Sequence, residues 1–231
     1  MKTIGLIGGM SWESSAEYYK IINKEVKKRL GGFNSAKTIM NSVNFAEIEK
    51  LQEEGNWEKA SEILVSYAVS LEKAGADCVL LCTNTMHIVA DSIENAIKIP
   101  FLHIADTTGE VIKKQNIKKI GLLGTKFTMQ REFYKGRLIS KFGLDVVVPN
   151  LDDQEIIHNV IYNELCLGSI KPESKKEYLK IIEKMKNDGA EGVILGCTEI
   201  GLLIKKEDLD IPVFDTTIIH AIEAVDFALN K

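Results

Sequence analysis

The chain has 231 residues, of which 45% are hydrophobic and 27% charged, with a net charge of −4. Such mild acidity gives no electrostatic reason to expect nucleic acid or an anionic membrane as a partner. No apolar run approaches the roughly 18 residues needed to cross a bilayer, and the Ile4–Gly9 run is too short for a signal peptide, so a cytoplasmic, enzyme-sized protein is the expectation.

Short β-rich runs alternate with longer stretches of helical period, the pattern of βαβ units around a mostly parallel sheet. In chain order the pattern predicts a strand over Thr3–Ile7, a helix over Ser14–Leu30 and a strand over Lys37–Ser42. A polar, Glu-rich connection follows over Phe45–Asn56, suited to closing as a lid. Next come a helix over Trp57–Lys73, a strand over Cys78–Leu81, a helix over Ile88–Ala96 and a strand over Phe101–His103. The second half predicts strands over Lys119–Leu123, Asp145–Val148, Gly192–Leu195 and Val213–Phe214, with helices over Met129–Lys141, Ser174–Asp188 and Ile218–Leu229. No element is assigned between His103 and Lys119 or between Val148 and Ser174. Gly75 and Gly189 sit where helix C-terminal glycines are expected.

The chain also repeats itself. Residues 75–84 read GADCVLLCTN and residues 189–198 read GAEGVILGCT, which sets Thr83 opposite Cys197. KTIGLIG at residues 2–8 returns as KKIGLLG at 118–124. Ile99-Pro100 with Asp106-Thr107-Thr108 returns as Ile211-Pro212 with Asp215-Thr216-Thr217. A period of half the chain is a domain duplication and not a solenoid. The expected fold is therefore α/β, with two pseudo-symmetric αβα domains, each holding a mostly parallel sheet, and an active site in the cleft between them. The expected boundaries are 1–104 plus 217–231 for the first domain and 105–216 for the second.

Ligands of open parallel sheets collect at the carboxyl ends of the strands, where Gly8–Ser11, Thr83–Thr85, Gly124–Thr125 and Cys197–Glu199 fall. Small hydroxyl, amide and thiol groups before helix starts suit a small anionic substrate. The turn at Gly5–Gly9 fits neither G-x-G-x-x-G nor a P-loop. His87, His103, His158 and His220 are scattered and form no metal-ligand pattern, and His87, one helical turn past Thr83, is placed to steady that loop. The cysteines Cys78, Cys82, Cys166 and Cys197 show no zinc-type spacing. Cys78 and Cys166 read as core. Cys197 is the strongest single candidate, because Gly196 permits close approach and a helix start is expected to lower the thiol from its ordinary value of about 8.5.

Thr83-Asn84-Thr85-Met86-His87 and Gly196-Cys197-Thr198-Glu199-Ile200 resemble the paired C-N-T and G-C-T motifs of the aspartate/glutamate racemase family. Gly8-Gly9-Met10-Ser11-Trp12-Glu13-Ser14 is similar to its aspartate and broad-specificity branch. The resemblance implies cofactor-independent inversion of the α-carbon of aspartate or glutamate, with one acid/base group on each face, and a homodimer. It departs at the first cysteine, whose place Thr83 takes while Cys82 sits one residue early. Successive strand residues face opposite ways, so Cys82 is expected to look away from the site. A Thr/Cys subset, similar to L-aspartate/glutamate-specific racemases, implies that Cys197 acts on the L-form and Thr83 on the opposite face. By the same resemblance Met10, Ser11, Gln52, Asn84, Thr85, Thr125, Thr198 and Glu199 hold the substrate, with Glu164 a further candidate for its amine. Gln52 on a solvated surface, and Glu164 likewise, remain open alternatives. Two other functions also remain: a single-cysteine decarboxylase or isomerase of small dicarboxylates, and an amino-acid-binding protein that no longer turns over.

Overall fold

The structure is a computed structural model in which residues 1–230 are described. In chain order the elements are β1 (Thr3–Gly8), α1 (Trp12–Leu30), β2 (Lys37–Ser42), α2 (Phe45–Glu53), α3 (Trp57–Lys73), β3 (Cys78–Leu81), α4 (Ala90–Ala96) and α5 (Ile104–Lys114). They continue as β4 (Lys119–Gly124), α6 (Lys126–Gln130), α7 (Glu132–Phe142), β5 (Asp145–Val147), α8 (Leu151–Asn163), α9 (Pro172–Asn187), β6 (Val193–Gly196), α10 (Ile200–Leu203), β7 (Val213–Asp215) and α11 (Thr216–Ala228). The chain forms two compact units, residues 1–104 with 220–231, and residues 105–219.

In the first unit three parallel strands run in the order β2-β1-β3. Fully buried strands alternate their side chains between two apolar faces. Ile4, Leu6, Cys78, Leu80 and Cys82 pack with Tyr18, Ile22 and Val26 of α1 and with Ala221, Ala224 and Val225 of α11. Ile7, Val79 and Leu81 pack on the other side with Leu64, Ala68 and Leu71 of α3, Ile48 of α2 and Ile93 of α4. The final helix is therefore part of this core. Arg29 bonds Glu25 at 2.7 Å and also pairs with Asp226, joining α1 to α11.

The second unit has four parallel strands in the order β5-β4-β6-β7. Its core holds Leu123, Val193 and Leu195 against Met129 of α6, Ile157 and Ile161 of α8 and Tyr178, Ile181 and Met185 of α9. Both units wind β2-β1-β3 and β5-β4-β6 alike, as the sequence repeat requires.

Several expected elements change. The Phe101–His103 strand reduces to one bridge, Val79 to Phe101, flanked by Val79 N–H to Pro100 O and Leu102 N–H to Val79 O. Its counterpart β7 pairs three residues with β6. That register aligns Phe101 with Val213, and so His103 with Asp215. The repeat of Asp106-Thr107-Thr108 is displaced by three residues: Asp215 precedes α11 and accepts the N–H groups of Thr217 and Ile218, whereas Asp106 lies inside α5 and binds Arg137. The expected Met129–Lys141 helix breaks at extended Arg131, and Thr85–Val89 is a 3-10 turn ahead of α4. The expected Phe45–Asn56 connection is mostly helix α2, which turns Ile48 and Gln52 into the core and its glutamates outward. Helices α5 and α8 fill the unassigned stretches. α8 starts where the Asn150 side chain accepts the Asp153 N–H at 2.9 Å.

His220, fully buried on α11, is held by two partners of fixed sense. Its Nε2–H donates to Leu102 O at 2.6 Å, which leaves Nδ1 to accept from the Tyr18 hydroxyl at 2.9 Å. Burial lowers its pKa to about 4, against about 6.5 unfolded. Below pH 6.5 the unfolded chain binds the extra proton, so this part of the stability is complete above 6.5 and is lost as pH falls toward 4. Urea unfolding should show roughly 2 kcal/mol lost by pH 5 from this group. In His220→Gln, which can keep both hydrogen bonds, that acid-side slope should disappear.

Candidate functional site

The first unit gathers one group of the expected residues at the carboxyl ends of β1 and β3. Gly9 (φ +93°) turns the chain after β1, where a Cβ would run into the Val43 carbonyl. Met10 is buried in the α2/α3 core. Ser11 caps α1 through Ser14 N–H at 3.3 Å, and Ser15 Oγ accepts from Gly9 N–H at 2.7 Å while donating to Ser11 O at 3.0 Å. Ser14 Oγ donates to the Cys82 carbonyl at 3.0 Å, which fastens this turn to the loop after β3. Ser14 and Ser15 were not singled out in the sequence; their spacing from the Ser11 cap is the signal that could have found them.

Cys82 is fully buried on the α1/α11 face, and its thiol is driven up by burial. Thr83, the next residue, is half-buried at the strand end. Asn84 and Thr85 are buried beside it. His87 reaches back from the 3-10 turn with Nδ1 at 2.7 Å from Thr83 O, while Nε2 lies 3.2 Å from Ile104 N–H. The Ile104 amide can only donate, so Nε2 is bare and the proton sits on Nδ1, donated to Thr83. His103 stands edge-on to His87, with ring centres 4.6 Å apart. Gln52 is buried and aims its amide at Met86 Sδ, 3.0 Å away, so it is not a solvated surface residue.

The second unit gathers another group where β4 and β6 end side by side, with Gly124 paired to Gly196. The two strands are too close there for side chains. A Cβ on Gly196 would lie 2.6 Å from Leu123 O, and one on Gly124 would lie 2.9 Å from Gly196 O. Thr125 follows Gly124 and caps α6 by accepting Thr128 N–H at 3.3 Å. Cys197 follows Gly196, half-buried. Its thiol donates to Glu199 Oε2 at 3.0 Å, and Thr198 Oγ1 donates to the same oxygen at 2.6 Å. Glu199 is buried.

This arrangement reverses the expected effect on the thiol. The following helix α10 is a single turn, Ile200–Leu203, too short for a substantial dipole. Burial and then the adjacent Glu199 carboxylate push Cys197 well above the ordinary thiol range. Cys166 and Tyr178 also neighbour the thiol electrostatically. Tyr178, a core residue of α9, donates its hydroxyl to Ile157 O at 3.0 Å. Glu164 acts electrostatically on Tyr178, and its own carboxylate is engaged elsewhere: it accepts Ser174 Oγ at 2.6 Å and pairs with Lys171 at 3.3 Å. Among the described residues, no three His, Cys, Asp or Glu side chains are grouped to hold a metal ion, and no helix is long and apolar enough to cross a membrane.

The sequence model described as Asp/Glu/Hydantoin racemase matches residues 7–224. The crystal structure of a candidate Asp/Glu racemase from Yersinia pestis is 53% identical, covers 99% of this chain and 100% of that one, and superposes with a TM-score of 0.94. An aspartate racemase homologue from Pyrococcus horikoshii OT3 is 37% identical over 99% of this chain and 100% of its own, with a TM-score of 0.87. The broad-specificity amino-acid racemase RacX of Bacillus subtilis (strain 168) is 24% identical over 163 residues, 69% of this chain and 68% of that protein.

The thiols differ sharply in access. Cys78 and Cys82 are fully buried, Cys78 with its thiol raised to about 12, whereas Cys166 and Cys197 are half-buried. In native buffer an alkylating reagent should therefore modify Cys166 and Cys197 alone, with all four thiols reacting in denaturant. Peptide mapping by mass spectrometry checks this, and native labelling of Cys82 would contradict the side-chain placement at the end of β3.

Proposed function

The chain belongs to the Asp/Glu/hydantoin racemase family, and we propose that it inverts the α-carbon of aspartate or glutamate without a cofactor. Cys197 takes the α-proton of the L-form, and Thr83 delivers a proton to the opposite face of the planar intermediate. Inversion of one carbon needs an acid/base group on each side. The observation that carries the reading is the equivalent standing of the two residues. Thr83 follows β3 and Cys197 follows β6, and these strands hold the same place in two sheets wound alike.

A carbanion next to a carboxylate needs electrostatic support. Asn84, Thr85, Thr125 and Thr198 supply amide and hydroxyl groups beside the two candidate acid/base residues, and Ser11 and Gln52 contribute to substrate binding. In this reading His87 keeps the Thr83 main chain in place through its Nδ1–H. The active species is a homodimer, by likeness to the family.

Circular dichroism of L-glutamate or L-aspartate incubated with the pure protein should decay toward zero. Cys197→Ser should lose activity by on the order of 100-fold or more, as removal of an acid/base group does, while Cys82→Ser should keep most of it. Saturable binding with no decay of ellipticity would mean an amino-acid-binding protein instead.

A further inference from the structure

The loop after β4 is fastened from α8 by a histidine that the proposed chemistry leaves unused. Thr125, which the racemase reading sets beside the substrate, caps α6. The next amide, Lys126 N–H, is the first of that helix and has no carbonyl within it to bond. It donates instead to His158 Nδ1 at 3.3 Å. An amide can only donate, so Nδ1 is bare and the ring proton sits on Nε2. The half-buried imidazole stands against the rings of Phe127 and Tyr162, with centres 6.4 and 4.7 Å away. Building on the racemase reading, we propose that neutral His158 is a positioning residue for the substrate carboxylate: it holds the Lys126 amide, and with it Thr125, and releases both on protonation.

Helix α6 cannot hold this loop by itself. It is five residues long, too short to be stable alone or to carry much of a dipole. Two side-chain ties to α8 assist: Lys126 Nζ pairs with Glu155, and Gln130 Nε2 donates to Gln154 Oε1 at 3.0 Å. The His158 contact grips the main chain itself, one residue from Thr125. Thr125 Oγ1 accepts Thr128 N–H at 3.3 Å and lies 3.2 Å from Thr128 Oγ1. With Thr128 as the donor of that hydroxyl pair, Thr125 can turn its own proton toward a substrate oxygen. A shift of the Lys126 main chain undoes the cap and moves that donor.

Protonation reverses the contact. An imidazolium carries hydrogen on both nitrogens, so Nδ1–H would face Lys126 N–H with no acceptor between them. Burial, and then the Lys126 ammonium, hold the imidazole below its ordinary range, with Glu155 opposing them. The charged and titratable groups around the ring are Lys126 from α6, Arg131 past the Phe127 ring, and Glu155 and Tyr162 from α8 itself. Asp153, further along α8, is paired with Lys184 of α9. The latched form is the one with the depressed pKa. Its advantage is therefore complete above the ordinary value of about 6.5 and is lost as pH falls, so substrate binding weakens on the acid side.

The test uses the full-length protein with His158→Asn, whose Oδ1 falls where Nδ1 stands and cannot be protonated, and His158→Phe, which keeps a ring and loses the acceptor. The first readout is NMR without substrate, following the Lys126 amide and the His158 ring between pH 5 and 8. In the wild type the two should shift with one shared midpoint, and in the Asn variant the amide should lose that transition. The second readout is KM and kcat for L-aspartate and L-glutamate over the same range. Wild-type KM should rise below pH 6.5, by up to about 10-fold per pH unit for one proton. Its kcat should change less than about 2-fold, because a contact made equally by bound substrate and transition state affects KM alone. The Asn variant should lose the acid-side rise. The Phe variant should show a pH-independent KM about 5-fold above the neutral wild-type value, the cost of one hydrogen bond. An acid-side rise retained in the Asn variant, a fall in kcat with KM unchanged in the Phe variant, or a Lys126 amide that ignores the His158 ring overturns the proposal. If the wild-type protein racemises neither amino acid, the racemase reading fails, and the NMR titration alone decides whether the imidazole governs the loop.

Discussion

One geometric constraint governs the first half of the site: side chains alternate along a strand, so a single residue of register decides which group leaves the core. Cys78, Leu80 and Cys82 fall on the face covered by α1 and α11, and Val79 and Leu81 on the face covered by α3. With Cys82 committed to the core and its carbonyl held by Ser14, it is Thr83 that stands free of the strand ladder. The sulfur that a linear reading places near the family's cysteine position is the wrong atom, and the hydroxyl after it is the candidate acid.

The second half solves the same problem by different means. Gly196 occupies the position of Cys82, and it is glycine because β4 and β6 approach too closely there for a side chain. Cys197 then emerges next to Thr125 at the ends of paired strands. Each half also fixes its loop with a short polar device. In the first it is the His87 imidazole against the Thr83 carbonyl, and in the second it is Glu199 gathering Cys197 and Thr198. The loops share ancestry and strand position, but the groups that hold them do not correspond. In the repeat His87 matches Gly201 and Glu199 matches Thr85.

Part of the fold was legible because a buried parallel strand reads as a continuous apolar run, as β3 does; β2, a mixed and partly exposed strand, and α3 also fall where the pattern sets them. The missed helices each have a physical reason. α2 is short and dense in glutamate, and only Ile48 and Gln52 are fully buried, with Phe45 and Leu51 packed partly against the core. α5 contains Asp106-Thr107-Thr108-Gly109, residues of low helix propensity that packing overrides. α8 was readable from Asn150 and from Ile157, Val160 and Ile161 at helical spacing. The Asp-Thr-Thr repeat misled because sequence identity there runs three residues out of step with strand pairing. For the site, the positions of Thr83 and Cys197 came from the repeat, but the state of the thiol could not. It depends first on burial of the thiol and then on the Glu199 carboxylate two residues away, beside a one-turn helix too short to offset them.

The pairing of a thiol with a hydroxyl also bears on what selectivity can mean here. Enantiomers have equal free energy in water, so at equilibrium kcat/KM must be the same in both directions, whatever the two acids are. Replacing one thiol by threonine cannot make the reaction one-way. It makes the two faces unequal in how readily each form of the enzyme is reached. In the proposed reaction, the form that accepts L-substrate is the one with Cys197 deprotonated. The form that accepts D-substrate needs a deprotonated Thr83, for which the described neighbours of its loop, the His87 imidazole and the buried amides, offer no base of comparable strength. Under the proposed reaction the asymmetry would therefore appear as opposed changes in kcat and KM for the two enantiomers.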